Sequence, residues 1–191
     1  MRASIVRYAN VAPTPWKNGL GATSQLVVHP ADASLESFDW RISIARLDRS
    51  APFSVFPGIN RWLVVLAGEM VLLREGFDPS RMTTRSDPVH FSGDVSAAGE
   101  VVHAPVLDLN VMYRADAWRA TMRRVVAMDQ TLHLAPPGFI CSCSASLRVE
   151  LPGSQVELGQ FDLLGVTEGC DVRLLATNGV RAEAHLIELH V

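Results

Sequence analysis

Short apolar runs recur along the whole chain and alternate with segments rich in Gly, Pro, Asp and Asn. The runs span residues 42–44, 62–67, 70–73, 101–102 and 106–112. This spacing predicts many short β-strands joined by tight turns. Two stretches could be helical, but 34–37 is too short and 115–124 is crowded with arginines. Strands without amphipathic helices between them are typical of a sandwich or barrel, so the sequence predicts an all-β fold.

Glycines between apolar runs predict two hairpins. One is expected where Gly68 separates the runs 62–66 and 70–73, because glycine adopts the backbone conformations that tight turns require. A second is expected at Asn178 and Gly179, between the apolar run before them and the alternating segment after them.

A polar segment over 113–124 divides the chain, because the strand and turn pattern begins again after it. We therefore expect two β-barrel halves, residues 1–115 and 116–191. The second half is short, and a strand from the N-terminus is available to complete it.

Composition narrows the classes of function. The chain has 191 residues, of which 48% are hydrophobic and 19% charged, so it can bury a substantial core. Its formal net charge of -3 argues against a nucleic-acid partner. The longest apolar stretch, 62–67, is far shorter than the roughly 20 residues of a membrane-spanning helix. Arg7 interrupts the position where a secretory signal needs its apolar segment, so a cytoplasmic location is expected.

A glycine-containing loop over 15–23 is the first candidate for ligand chemistry. Lys17 supplies a charge and Asn18 an amide, and the glycines allow close approach of the backbone, so the loop could hold an anion. It is not a P-loop, because its lysine precedes the glycines. The alternative is a plain turn with one exposed lysine.

Two segments alternate between polar and apolar residues with the period of a strand. This places Arg41 and Ser43 on one face of one strand, and Asp108 and Asn110 on one face of another. Each polar face either points into a barrel or is solvated. Arg61 follows a loop shaped by aromatic residues, prolines and a glycine, where its guanidinium could grip a carboxylate or pair with a structural acid.

Together these segments resemble the successive signatures of the HutD/Ves family, in the family's order, over roughly residues 5–115. The blocks are Trp16-Lys17-Asn18-Gly19 with Gly21 and Thr23, Trp40-Arg41-Ile42-Ser43, Pro52-Phe53-Ser54 to Phe56-Pro57-Gly58 and Arg61, Phe91-Ser92-Gly93, and Asp108 to Met112. Leu20 stands where the family pattern usually has a third glycine.

The resemblance implies a cupin-like double-stranded β-helix, arranged as a bicupin of two stacked antiparallel barrels. It also implies a role in limiting expression of the histidine-degradation genes, with urocanate or a formylated glutamate as candidate ligand. Either acid carries carboxylates that basic side chains can hold. We therefore expect one ligand pocket in the first half, formed by Lys17, Asn18, Arg41, Ser43, Arg61, Asp108 and Asn110.

No metal or other cofactor is expected. Metal-dependent cupins use a His-x-His pair, whereas the six histidines of this chain are spread singly. His103 lies near the place of the late cupin histidine, but one imidazole does not make a metal site. The cysteines, Cys141, Cys143 and Cys170, are too few for a structural zinc site and are expected to be buried thiols.

Three functional hypotheses follow. The first is a metal-free protein that binds a small acidic metabolite and regulates histidine utilisation. The second is a metal-free isomerase or hydrolase acting on a small acid, with Asp108 or His103 as general base. The third is a structural or interaction module. The sequence leaves open whether the protein forms a homodimer.

Overall fold

A computed structural model describes residues 3–127, 131–176 and 182–191. Within this part of the chain the regular structure is β-strand apart from a 3-10 turn at Tyr8–Asn10. The strands in chain order are β1 (Ala3–Val6), β2 (Thr14–Pro15), β3 (Gly21–His29), β4 (Trp40–Leu47), β5 (Ala51–Pro52), β6 (Ile59–Arg74), β7 (Phe77–Thr83), β8 (Val89–Ser92), β9 (Ala97–Arg114), β10 (Arg119–Val126), β11 (Thr131–Leu134), β12 (Gly138–Ser142), β13 (Leu147–Leu151), β14 (Ser154–Leu158), β15 (Leu163–Val166), β16 (Cys170–Ala176) and β17 (Glu183–His190). The prediction of an all-β fold is confirmed. The described residues include no helix long and apolar enough to cross a membrane.

The strands form two compact units. One contains residues 12–119, and the other combines residues 1–11 with 120–191. The first strand belongs to the second unit, because β1 pairs antiparallel with β15, with Ala3 opposite Val166.

The unit over 12–119 is built on one sheet with the strand order β2-β3-β4-β9-β6-β7, to which β5 and β8 add short pairings. The strands β4, β9 and β6 lie side by side at its centre, and all their pairings are antiparallel. Apolar side chains on one part of this sheet form a core that includes Leu47, Leu63, Met70, Leu72 and Val106. Burial on this scale is the main source of stability of such a sheet.

The predicted hairpin around Gly68 is wrong. The chain runs through it as one strand, β6, and both predicted arms pair with β9. Gly68 has a φ of +76°, and a Cβ added there would lie 2.5 Å from the carbonyl oxygen of Pro105. The glycine therefore serves an irregular pairing between β6 and β9, where the register shifts on both sides of it.

The second unit has two sheets, in the orders β1-β15-β12-β17-β10 and β11-β16-β13-β14. Their shared core includes Leu134, Ile140, Leu147, Leu158 and Leu164. The turn predicted at residues 178–179 lies outside the described residues. Its two predicted arms lie in different sheets, since β16 pairs with β11 and β13, and β17 pairs with β12.

The cysteines also lie in this second unit. Cys141 and Cys170 are buried, as predicted, whereas Cys143 is half-buried. Burial raises the pKa of the Cys143 thiol to about 12 and raises that of Cys141 well above its ordinary value. These two thiols are therefore protonated near neutral pH and are poor nucleophiles.

Candidate functional site

Polar side chains from three neighbouring strands lie in a row across the sheet of the 12–119 unit. Ser43 on β4 is opposite Asn110 on β9, and both Arg41 on β4 and Arg61 on β6 are opposite Met112. Because side chains alternate along a strand, this register places these polar side chains, together with that of Asp108 on β9, on one face of the sheet. All five are buried, namely Arg41, Ser43, Arg61, Asp108 and Asn110.

The loop between β2 and β3 brings two further predicted residues to the same place. The backbone N–H of Trp16 donates to the carbonyl of Gly21, and that of Gly19 donates to the carbonyl of Trp16. Gly19 has a φ of +69°, a conformation that favours glycine. The Asn18 side-chain oxygen accepts from the backbone N–H of Leu20 at 3.0 Å, so it holds the loop in shape. Lys17 and Asn18 are exposed at the end of this loop.

One cavity of about 1340 Å³ unites these residues. All seven predicted site residues line it, namely Lys17, Asn18, Arg41, Ser43, Arg61, Asp108 and Asn110. The structure thus brings together residues separated by up to 93 positions in the sequence, from Lys17 to Asn110. That they bind a ligand remains a prediction.

Arg61 is the most deeply buried cation of the cavity. Its guanidinium carbon lies 5.2 Å from the ring centres of both Phe53 and Phe91, a distance at which a cation is attracted to an aromatic ring. One terminal nitrogen donates to the Asn110 side-chain oxygen at 2.6 Å. Its Nε is buried without a hydrogen-bond partner among the described residues. Burial lowers the pKa of Arg61 to about 10, against the favourable charge of Asp108, so the side chain is still a cation at neutral pH.

Asp108 is fully buried beside this arginine. Its Oδ1 accepts a hydrogen bond from the amide nitrogen of Asn110, whereas its Oδ2 has no partner in the described part of the chain. Burial raises the pKa of Asp108 to about 7, although Arg61 and the Asn110 hydrogen bond act in the opposite direction. A chain of hydrogen bonds therefore runs from Arg61 through Asn110 to Asp108.

Arg41 is held by a residue that the sequence did not single out. Its Nε donates to the side-chain oxygen of Gln25 on β3 at 2.9 Å, and Gln25 also lines the cavity. Burial lowers the pKa of Arg41. Gln25 pairs in regular register with Ser43 and is the last residue of β3 before a bulge, after which Val27 lies opposite Ile42. The polar position two residues after Thr23 was the available signal.

The rings around Arg61 were also missed as functional residues. Phe53 and Phe91 belong to segments that the sequence marked as motifs, but no role followed from them. Phe53 lines the cavity and packs against the apolar core, to which Phe91 belongs, so the guanidinium of Arg61 lies where the cavity meets the core. A guanidinium stacks on aromatic faces, so the phenylalanines of the motifs around Arg61 were the available signal.

Solved structures with this fold include two from pseudomonads. A conserved protein of unknown function from Pseudomonas aeruginosa PAO1 is 26% identical, with a TM-score of 0.89 and 100% of both chains covered. HutD from Pseudomonas fluorescens SBW25, in a structure described as a formate condition, is 28% identical, with a TM-score of 0.81 and 98% of both chains covered. A cupin 2 conserved barrel domain protein from Leptotrichia buccalis, at 8% identity and a TM-score of 0.62, shows the fold alone. The prediction of a cupin-like fold is confirmed.

Cupins commonly hold a divalent metal, but the side chains of this cavity do not fit one. The described residues contain no group of three or more His, Cys, Asp or Glu able to hold a metal ion. The floor of the cavity presents Arg41 and Arg61 as cations beside the carboxyl of Asp108. His103 does not line the cavity, is largely exposed and pairs with Glu69 at 3.4 Å. The donor set therefore favours an anion over a metal cation.

Comparisons of the sequence with known proteins identify the family of the chain. An uncharacterized 21.2 kDa protein in the hutC 3' region of Pseudomonas putida is 29% identical over 168 residues, which cover 87% of each protein. The protein Ves of Citrobacter koseri is 34% identical over 110 residues, or 56% of each protein. The HutD family model matches residues 8–183, well beyond the segment that carried the resemblance. The chain therefore belongs to the HutD family.

Proposed function

We propose that this protein binds a small carboxylate ligand in the cavity of the 12–119 unit, without a metal, and that the bound state regulates histidine utilisation. Urocanate and a formylated glutamate are the candidate ligands. The observation that carries the proposal is the buried guanidinium of Arg61, which lines the cavity and has an Nε donor without a partner among the described residues.

The energetics of burial support an anionic ligand. A buried cation that lacks partners is costly, and a hydrogen bond to a charged group recovers about 1.5–3 kcal/mol. Arg41 lines the same cavity and carries a second buried positive charge. Lys17, exposed on the loop between β2 and β3, adds a third cation toward solvent. The three cations form a field that attracts and orients a carboxylate.

Apolar side chains supply the remaining walls. Trp16, Phe38, Phe56 and Ile59 line the cavity together with the polar floor. A few placed polar groups on an otherwise apolar wall are typical of small-molecule sites. The unsaturated chain and imidazole ring of urocanate, or the methylene groups of a glutamate derivative, would contact such walls.

The regulatory part of the proposal rests on the family. The relative from Pseudomonas putida lies in the hutC 3' region, and one structural neighbour is itself a HutD. A protein that senses a pathway acid needs affinity for it and no chemistry on it. We further propose that this sensing takes place in the cytoplasm.

Isothermal titration calorimetry with urocanate, N-formyl-L-glutamate and formate tests the binding. At least one of these acids should bind the wild type, and Arg61→Ala should weaken it roughly 10- to 150-fold. Arg61→Lys should recover only part of the affinity, because an ammonium cannot reproduce the planar two-point contact of a guanidinium. Arg81→Lys is the matched control, since Arg81 is exposed on β7 and pairs with Glu69. Absence of binding by all three acids would sink the proposal.

A metal-free isomerase or hydrolase is the second candidate, and one observation favours it. Asp108 is buried in the cavity with a pKa raised to about 7, a value suited to a general acid or base near neutral pH. His103, the other candidate base, does not line the cavity. Incubation of each acid with protein, followed by chromatography, separates the hypotheses. Turnover that is lost in Asp108→Asn but kept in Asp48→Asn supports the enzyme.

A further inference from the structure

We infer that the ligand carries a hydrogen-bond donor, an N–H or O–H group, close to its carboxylate, and that it gives this donor to Oδ2 of Asp108. The inference rests on the proposed carboxylate site and narrows the class of molecule that fits it. A simple carboxylate would pair only with the arginines. An acid that also carries a donor would pair with the arginines and with Asp108.

The direction of the hydrogen-bond chain is the first step. A guanidinium has donors only, so Arg61 must meet the oxygen of the Asn110 amide. The nitrogen of that amide is then left to donate to Oδ1 of Asp108. Asn110 is thereby oriented at both ends, and Oδ2 of Asp108 is the terminal acceptor of the chain.

Two buried polar atoms of the cavity lack hydrogen-bond partners within the described part of the chain. Oδ2 of Asp108 and Nε of Arg61 are both buried without a partner among the described residues, and both side chains line the cavity. One is an acceptor and the other a donor. An unpaired buried polar atom is destabilising, and more so when it is charged. A ligand complementary to the pair must present an acceptor to the arginine and a donor to the aspartate.

The carboxylate of the ligand does not fit beside Asp108. A ligand carboxylate there would face a buried carboxyl of like charge, which is unfavourable unless one of the two is protonated. The same carboxylate next to the buried cations Arg61 and Arg41 meets opposite charge. The carboxylate therefore belongs to the arginines, and Asp108 selects the neighbouring group of the ligand.

Proton linkage gives this inference a signature of its own. A ligand donor favours ionised Asp108, so affinity for a donor-bearing acid should rise as pH increases through about 7. An acid without a donor should bind better when Asp108 is neutral and itself donates, so its affinity should fall over the same range. The other charged residues that line the cavity are Lys17, Glu36, Arg41, Arg61, Arg114 and Asp116.

Matched ligand pairs provide the test. One pair is N-formyl-L-glutamate and its ester analogue, in which an oxygen replaces the amide N–H. The other is urocanate and its oxazole analogue, in which an oxygen replaces the ring N–H. The members of each pair have nearly the same shape and the same carboxylates. In at least one pair, the donor-bearing member should bind about 10- to 150-fold more tightly, as expected for one hydrogen bond to a charged group.

Asp108→Asn should reduce or invert this preference, because an amide can turn its N–H₂ toward the ester or oxazole oxygen. The matched control Asp48→Asn changes an exposed aspartate that pairs with Arg46 and should keep the full preference. If Asp108→Asn does not fold, the ligand pairs and their opposite pH slopes in the wild type decide the question alone.

Three outcomes are distinguishable. A donor preference with affinity rising through about pH 7 supports the inference. Equal affinities within both pairs, together with a loss of binding in Arg61→Ala, overturn the donor inference and leave the carboxylate site intact. If none of these acids binds, the proposed function fails as well.

Discussion

Replacing Asp108 by Asn should change how the stability of the 12–119 unit depends on pH. The pKa of Asp108 is raised by burial from 3.8 to about 7 in the folded protein. A raised pKa means that the folded state resists ionisation of this group. The free-energy penalty for ionising Asp108 in the folded state is absent at pH values well below 4. It grows as pH rises toward 7 and is constant above. The asparagine variant has no such penalty at any pH.

The size of the effect follows from the two pKa values. At about 1.36 kcal/mol per pKa unit, the difference between 3.8 and about 7 corresponds to about 4 kcal/mol. The free energy of unfolding of Asp108→Asn, minus that of the wild type, should therefore increase by about 4 kcal/mol between about pH 4 and pH 8. The new amide's oxygen can still accept from Asn110, so the hydrogen-bond chain is kept.

Tryptophan fluorescence during urea denaturation is a suitable assay, because every tryptophan of the chain lies in this unit. They are Trp16, Trp40, Trp62 and Trp118. Unfolding curves at about pH 4.5, about pH 6 and about pH 8 give the difference between the two proteins. Asp48→Asn, at an exposed ion pair, should track the wild type at all three values. A constant difference between Asp108→Asn and the wild type would refute the reasoning about burial of this carboxyl.

Three further predictions concern the surroundings of the site and the second unit. Phe91→Leu removes one ring beside the Arg61 guanidinium and should weaken the ligand about 5-fold by calorimetry, the equivalent of about 1 kcal/mol of cation–π attraction; unchanged affinity would deny the ring this role. Gly21→Ala places a Cβ 2.4 Å from the Arg46 carbonyl oxygen and should cost about 1–3 kcal/mol, seen as a lower melting temperature; an unchanged melt would contradict the close approach. Asp162→Ala removes the acceptor that ties the N-terminal segment to the loop before β15 and should cost about 1.5–3 kcal/mol in denaturation followed by circular dichroism; equal stability would show that this tie is dispensable.

The period of side chains along a strand was enough to predict which polar residues share a face. Arg41 with Ser43, and Asp108 with Asn110, follow from alternation alone. Their meeting across neighbouring strands depends on pairing and register between segments far apart in the chain. No local pattern specifies that register, so the resemblance to the family carried this part of the prediction.

Other features lay beyond local patterns for definite physical reasons. Gly68 has the positive φ of a turn glycine, but here it relieves an irregular stretch of β6 against β9, and a sequence pattern does not distinguish the two uses. The guanidinium of Arg61 lies close to the rings of Phe53 and Phe91. One ring precedes Arg61 in the chain and the other follows it, and only folding brings both to the arginine. Gln25 reaches Arg41 from the next strand of the sheet.

The most direct test of carboxylate binding is a crystal structure of the protein grown with saturating N-formyl-L-glutamate or urocanate. We expect ligand density in the cavity, with a carboxylate oxygen within about 3.2 Å of a guanidinium nitrogen of Arg61 and the carboxylate close to Arg41 and Lys17. A ligand bound elsewhere, or an Arg61 guanidinium that contacts only protein groups while the acid occupies the cavity, would contradict it.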